Sequence, residues 1–369
     1  MPKVKVAIAG VGNVASALVQ GVFKYRDVPD DADVPGIMHV RFGPYHISDI
    51  EFVAAFDVDE RKIGKDLSEA LFSKPNNLEK FADVPKLGVE VLKGPVLDGV
   101  APHMRDFRYG EGFLLDDSRP SVNVTDVLKE VDADVLVNLI PVGSYEASRA
   151  YATAALEAGV AFVNGIPEFI VSDPEWGEKF RERGIPAAGD DFKSQLGATI
   201  VHRTLARLAV ERGLRVLNTY QLNIGGNMDF LNMIEESRLK TKRISKTEAV
   251  TSMIPYEVGA RVGPSDYVPF LGDRKIMYMY MEAEQFGGFK VYLDVKLSVM
   301  DSPNAAGVAI DAIRAVKLAM DRGIAGPLEG VSAYFFKHPP RQLPDYIARE
   351  LVEAFIRGEE VKVEEVLRG

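Results

Sequence analysis

Apolar runs alternate with amphipathic stretches through the first half of the chain. The β-rich apolar run within residues 3–9 predicts a buried strand, and helical spacing of apolar residues follows through Gln20. A second strand is expected at 51–56, ending in Asp57 and running into a helix. ADVLVNLIPVGS at 133–144 predicts another strand, SYEASRAYATAALEAG a helix closed by Gly159, and VAFVNGIP the next strand. DPEWGEKFRERG reads as a helix capped by Asp173 and stopped by Gly184, before the strand IPAAGDD. Strands alternating with helices imply a parallel, doubly wound α/β sheet, whose ligands gather at strand C-terminal ends. Those ends carry Gly10, Asp57, Pro141, Asn164 and Asp190.

After a helix expected at 195–212 the texture changes. RVLNTYQLNIGG, KIMYMYMEAE and FKVYLDVKLSV alternate with period two, which suits an antiparallel sheet covered on one face. An amphipathic helix from DSPNAAG onward then returns the chain to the first unit. The expected organisation is a Rossmann-type domain of residues 1–200 plus 300–369 and an α+β domain of residues 201–299 whose sheet presents a face to another subunit.

Gly10-Val11-Gly12-Asn13-Val14-Ala15-Ser16 sits between the first strand and helix, a variant of the dinucleotide fingerprint with Ser16 taken where a third glycine often stands. Glycines there permit a tight turn and let the backbone approach a pyrophosphate at the helix N-terminus. Asp57 is placed for the adenosine ribose hydroxyls, which favours NAD over NADP. The interval from Gly12 exceeds the usual ~20 residues, so the intervening DVPDDADVPGIMHVRFGPYHISDI is read as an inserted loop.

With 369 residues and 47% hydrophobic content the chain is long enough for two domains. A net charge of −10 argues against nucleic acid, which needs clustered Lys and Arg. There is no cysteine, hence no disulfide or thiolate site. The apolar start is interrupted at Gly10 before reaching signal-peptide or membrane-span length, so a cytoplasmic location and no membrane partner are expected. The five histidines show no i,i+4 pair of the kind that holds a metal.

Candidate chemistry lies in lysines set among Gly, Asn and Asp: Lys193, Lys242, Lys246, Lys275 and Lys337. Any one of them could be a solvated surface residue. Together they suggest a cavity for a phosphorylated, carbonyl-forming substrate, where cations hold phosphate and stabilise oxyanions. Lys193-Ser194-Gln195-Leu196-Gly197 and Thr199 open a helix whose backbone N–H groups form a natural anion site, although Ser194 could equally be a simple cap. Asn223, Gly226, Asn227 and Asp229 offer short polar groups at a strand break, otherwise readable as an Asx turn. Lys242 and Lys246 are four apart, share a face if helical, and repel unless an anion lies between them.

The ordered segments GVGNVAS, GDDFKSQLGAT, QLNIGGNMDFLN, ISKTEAV, YVPFLGDRK, DSPNAAG and SAYFFKHPP resemble myo-inositol-1-phosphate synthases of bacterial and archaeal type over almost the whole chain. The resemblance implies an NAD-dependent isomerase that turns D-glucose 6-phosphate into 1D-myo-inositol 3-phosphate. It does so by oxidation at C5, enolisation, aldol ring closure and reduction, in a homotetramer assembled through the second domain. It also implies phosphate binding at the turn after Asp191, with KSQLGAT here in place of the KSGQTK of eukaryotic members. Lys246 would lie near phosphate, Lys242 near the reacting oxygens, Lys275 at the C5 oxygen and Lys337 at the C1 carbonyl, with Asp191 and Asp301 orienting lysines and relaying protons. A divalent or monovalent cation assisting the enolate is a further expectation for which oxygen ligands leave little readable spacing. The competing reading is a simple NAD-dependent sugar or homoserine-type dehydrogenase, which leaves the two anion segments and several lysines unexplained.

Overall fold

The computed structural model describes residues 3–105, 107 and 112–359. Val4–Ala9 (β1) leads into Asn13–Tyr25 (α1); a hairpin of Arg41–Phe42 (β2) and Tyr45–His46 (β3) precedes Ile50–Asp57 (β4). Leu67–Ala70 (α2), Val91–Lys93 (β5), Pro102–Arg105 (α3), Val124–Glu130 (α4) and Val135–Asn138 (β6) follow. Tyr145–Ala158 (α5), Ala161–Asn164 (β7), Pro174–Glu182 (α6) and Pro186–Gly189 (β8) complete the alternating half. Then come Ala198–Glu211 (α7), Arg215–Gly225 (β9), Met228–Asn232 (α8), Lys240–Thr251 (α9), Gly259–Tyr267 (β10), Arg274–Glu284 (β11) and Lys290–Met300 (β12). Asp301–Asp321 (α10), Gly326–Pro327 (β13), Glu329–Phe335 (α11) and Asp345–Arg357 (α12) close the described chain.

The first sheet has seven strands in the order β13-β8-β7-β6-β1-β4-β5, all parallel. Residues of β1 divide by period two: Val4, Val6 and Ile8 pack with α1 and α10 on one face, Ala7 and Ala9 with α4, α5 and α6 on the other. Burial on both faces is why β6, β7 and β8 read as unbroken apolar runs. Strand order reverses between β1 and β6, so a crevice opens beyond their C-terminal ends. This confirms the doubly wound α/β architecture.

Several local readings change. After β4 the chain makes turns and only the single helical turn α2, capped by Asp66, instead of a full helix. The supposed loop insertion is pinned to α10 by the fully buried Arg314, whose guanidinium donates to the carbonyls of His39, Val40 and Tyr45. In G-x-G-x-x-A the third small residue is Ala15, fully buried; Ser16 lies one position later and its hydroxyl accepts from Gln20.

The second sheet, in the order β10-β9-β11-β12, is mixed rather than antiparallel: β9 and β10 run parallel, the other pairs antiparallel. A parallel neighbour requires a crossover, supplied by α8 and α9. The strand β10 escapes the alternation pattern because its register shifts between Val262 and Ser265, around Gly263-Pro264. Met277, Met279 and Met281 face α7. On the far side Tyr220, Tyr280 and Tyr292 stack in a row, with Tyr292 59% exposed. α7 (Ala198–Glu211) packs under this sheet.

Candidate active site

The glycine loop forms where β1 must turn sharply into α1. Gly10 has φ +91°, and a Cβ there would stand 2.7 Å from the Leu139 carbonyl oxygen. At Gly12 an added Cβ meets nothing within 4 Å, and no side chain caps α1, so its first N–H groups face the crevice. Gly10, Gly12, Asn13, Val14, Asp57 and Pro141 all line this cleft. Asp57 holds the loop itself: Oδ2 accepts the Val11 N–H at 2.8 Å, and Oδ1 accepts those of Val58 and Asp59 at 2.7 and 3.0 Å. Buried Lys62 donates to the Val11 carbonyl at 2.8 Å and lies 3.4 Å from the Asp57 carboxylate.

At the other end of the cleft a lysine cluster forms by strand-like zipping. Backbone bonds from Lys193 N–H to Phe335 O, Lys337 N–H to Asp191 O, and Asp190 N–H to His338 O lay SAYFFKHPP against GDDFK. Phe192 and Phe336 stack with ring centres 5.0 Å apart. Beside these rings Lys337 and Asp191 line the cleft. Asp191, 2% exposed, accepts from Lys337 Nζ at 2.9 Å, Lys242 Nζ at 3.1 Å and Ser245 Oγ at 2.7 Å. Burial alone would raise its pKa; the two ammonium groups and the hydroxyl overcome that and hold it well below the carboxylate range.

Lys275 Nζ pairs with Asp301 at 3.1 Å. Burial would raise Asp301, and the Lys275 charge keeps it low. Lys337 is pushed down to about 8 by burial and the neighbouring cations, against the pull of Asp191. Lys242 is desolvated too, yet Asp191 raises it. Lys246, one turn along α9, makes no hydrogen bond or ion pair among the described residues; burial and then the charges of Lys242, Lys275 and Lys337 depress it strongly. Three of the four amines thus pair with two carboxylates, and Lys246 pairs with neither. The arrangement has room for further negative charge.

The N-terminus of α7 opens onto the same cleft, with Gly197 at the cap position and no side-chain cap. Ser194 is therefore not the cap, and Ser194, Gly197 and Thr199 line the cleft. Asn223, Asn227 and Asp229 line it as well. Asn227 also makes the Asx turn, accepting the Asp229 N–H at 3.1 Å.

Five residues read as site residues lie elsewhere. Asn164 and Asp190 are fully buried behind the cleft, where Asp190 accepts from Asn164 and from the backbone of Ile170, Val171 and Ser172. Lys193 donates to the Ala333 carbonyl and to Asp345 on the far side, because Asp191, at φ 65°, breaks the alternation that would place the two residues on one side. Gln195 packs against Gly36 and Gly307. At Gly226 a Cβ would stand 2.6 Å from the Val268 carbonyl oxygen, so the glycine serves close packing.

Comparison with known proteins fits this geometry. Residues 197–302 match the sequence pattern of a family described as myo-inositol-1-phosphate synthase. The chain is 53% identical to the inositol-3-phosphate synthase of Mycolicibacterium smegmatis over 96% of its own length and 98% of the relative's. It is 54% identical to that of Corynebacterium glutamicum over the same shares. The chain belongs to the myo-inositol-1-phosphate synthase family. The structure of a myo-inositol-1-phosphate synthase-related protein from Thermotoga maritima, 30% identical, superimposes with a TM-score of 0.78 over 98% of this chain and all of that one.

Within the family fold, Asp273 is a buried residue behind the cleft wall to which the sequence reading gave no role. Its Oδ1 accepts from Asn13 at 2.9 Å, Asn227 at 3.1 Å and Ser302 Oγ at 2.7 Å, tying the glycine loop to the second sheet. Burial and then Asp301 raise its pKa. Lys62 and Gln221 also went unremarked although both line the cleft. Only Lys62 had a local signal, standing five residues after the acidic strand end.

Proposed function

We propose that this cleft carries out the family's reaction, cyclising D-glucose 6-phosphate to 1D-myo-inositol 3-phosphate, with the dinucleotide along the glycine loop and the sugar phosphate among the lysines. The observation that carries this reading is the convergence of Lys242, Lys246, Lys275 and Lys337 with Asp191 and Asp301 in the crevice that the glycine loop enters. The loop fits NAD because Gly12 leaves open space at an uncapped helix N-terminus. NAD, when bound, supplies the oxidation at C5 and its reversal.

The chain's own residues do the rest. The uncapped N–H groups of α7, with Ser194 and Thr199, bind the phosphate, and Lys246 neutralises it. Lys275, held by Asp301, stabilises negative charge on the C5 oxygen. Lys337 polarises the C1 carbonyl, and its depressed pKa suits it to exchange a proton near neutrality. Lys242 serves the reacting oxygens, and Asp191 keeps it and Lys337 in position.

Among the described residues no three His, Cys, Asp or Glu side chains converge on a metal-sized site. An assisting cation would therefore draw oxygen ligands from substrate or dinucleotide as well as protein. The exposed tyrosine face of the second sheet supports assembly as a homotetramer; a solution mass of one chain would refute it. No described helix is long and apolar enough to cross a membrane. A cytoplasmic site of action follows from where a sugar phosphate and NAD meet.

The deciding experiment supplies glucose 6-phosphate as sole substrate with NAD in catalytic amount. Inositol phosphate should accumulate well beyond the NAD supplied, without matching growth of NADH absorbance. Stoichiometric NADH would favour a simple dehydrogenase instead.

A further inference from the structure

Behind the lysine cluster runs a buried polar chain that the reaction as described does not use. His202, on α7, is fully buried. Its Nε2 lies 2.7 Å from Thr219 Oγ1, and Thr219 donates its hydroxyl proton to the Tyr280 carbonyl at 2.7 Å. On its other side Nδ1 lies 3.2 Å from the Gln221 amide, which in turn lies 3.1 Å from the Asn223 amide. Thr219, Gln221 and Asn223 are alternate residues of β9 and so share one face. Gln221 and Asn223 reach the cleft.

Proton accounting fixes the direction of this chain. The only hydroxyl proton of Thr219 is committed to Tyr280, so Thr219 can only accept from His202, and Nε2 must carry a hydrogen. Burial drives the imidazole down to about 4, despite the opposing Gln221 contact, so it is neutral at pH 7 and Nδ1 is bare. With Gln221 Oε1 toward Nδ1, two acceptors would face each other, and Asn223 Nδ2 would be buried without a partner. A half-turn of both amides removes both faults: Gln221 donates to Nδ1, and Asn223 donates to Gln221 Oε1. Asn223 then places its carbonyl oxygen at the unpartnered position, buried in the cleft wall. An amide oxygen tolerates an empty site better than an amide N–H, since the donor is what buried sites most rarely leave orphaned.

We propose that His202 is a positioning residue that, through Gln221, locks Asn223 with its carbonyl oxygen toward the cleft, as an acceptor for a hydroxyl of the sugar phosphate. This rests on the assignment of the cleft to a sugar phosphate. Among four amines that all donate, an acceptor fixed beside them reads a hydroxyl proton that the lysines cannot. A site built to accept one hydrogen bond discriminates strongly against an analogue lacking that hydroxyl.

Two measurements test it. In ¹⁵N-histidine-labelled full-length protein at pH 7, the His202 signals, assigned by their loss in His202→Gln, should be those of the neutral Nε2–H tautomer; an imidazolium or an Nδ1–H tautomer would overturn the proposal. This reading needs no turnover, so it separates failure of the relay from failure of the proposed reaction. In the inositol phosphate assay, His202→Leu keeps an apolar filling but loses both hydrogen bonds, and kcat/KM should fall on the order of tenfold, as when one buried hydrogen bond is lost. His202→Gln offers one N–H and one acceptor and should retain more activity than His202→Leu. A packing role alone would reverse that order and sink the idea. If His202→Leu fails to fold, the tautomer of the wild-type ring still decides.

Discussion

Replacing Asp191 by Asn tests whether one carboxylate keeps Lys337 charged. In the native cleft that carboxylate stands 2.9 Å from Lys337 Nζ, whose pKa is already down to about 8. An opposite charge at such range is worth roughly 1–3 pKa units, so without it the Lys337 pKa falls to roughly 5–7. At pH 7.5 the protonated fraction drops from about 76% to between roughly 24% and 0.3%. If the cation polarises the C1 carbonyl, turnover at that pH falls between roughly threefold and a few hundredfold. The sign follows from the lysine: a required ammonium is present below its pKa and lost above it, so the alkaline limb of kcat against pH moves to lower pH, and the deficit shrinks on acidification. The assay is inositol phosphate formation from pH 5.5 to 9 at saturating substrate, beside a thermal melt. Uncompensated burial of Lys242 and Lys337 should also cost about 3–5 kcal/mol of stability, less whatever their deprotonation relieves. A folded Asp191→Asn with an unmoved alkaline limb would show that this carboxylate does not govern the charge that matters.

The remaining predictions concern the other lysines and the cofactor. Lys275→Ala removes the cation at the C5 oxygen and should lower kcat on the order of 10² to 10⁴, of which a hundredfold corresponds to about 2.7 kcal/mol. Near-full turnover with intact NAD binding would move the catalytic centre elsewhere. Lys246→Ala, acting on a phosphate present in ground and transition states alike, should raise KM more than it lowers kcat. NAD should bind more tightly than NADP in direct titration, because the 2′-phosphate would approach Asp57; the nearby Lys62 is the group to remove if the two bind equally.

What the sequence determined by itself was the kind of object and much of its chemistry. Unbroken apolar runs could only be strands buried on both faces, Gly159 and Asp173 punctuated helices where they stand in the structure, and the paired lysines of α9 share the face expected of an i,i+4 pair. The tertiary structure decided which polar residue faces which way. Lys193 and Asp191 are two apart, yet one serves Asp345 and the other the cleft, because Asp191 adopts a positive φ of 65° and breaks the simple alternation. Asn164 and Asp190 sit at strand ends as required of ligand residues but spend their hydrogen bonds on one another and on backbone. The roles of Asp273, and of Gln221 with His202, depend on partners 260 and 19 residues away in the chain. Local patterns record which face of an element is apolar. A hydrogen bond between distant segments leaves no period in the sequence, so only the packed structure can assign it.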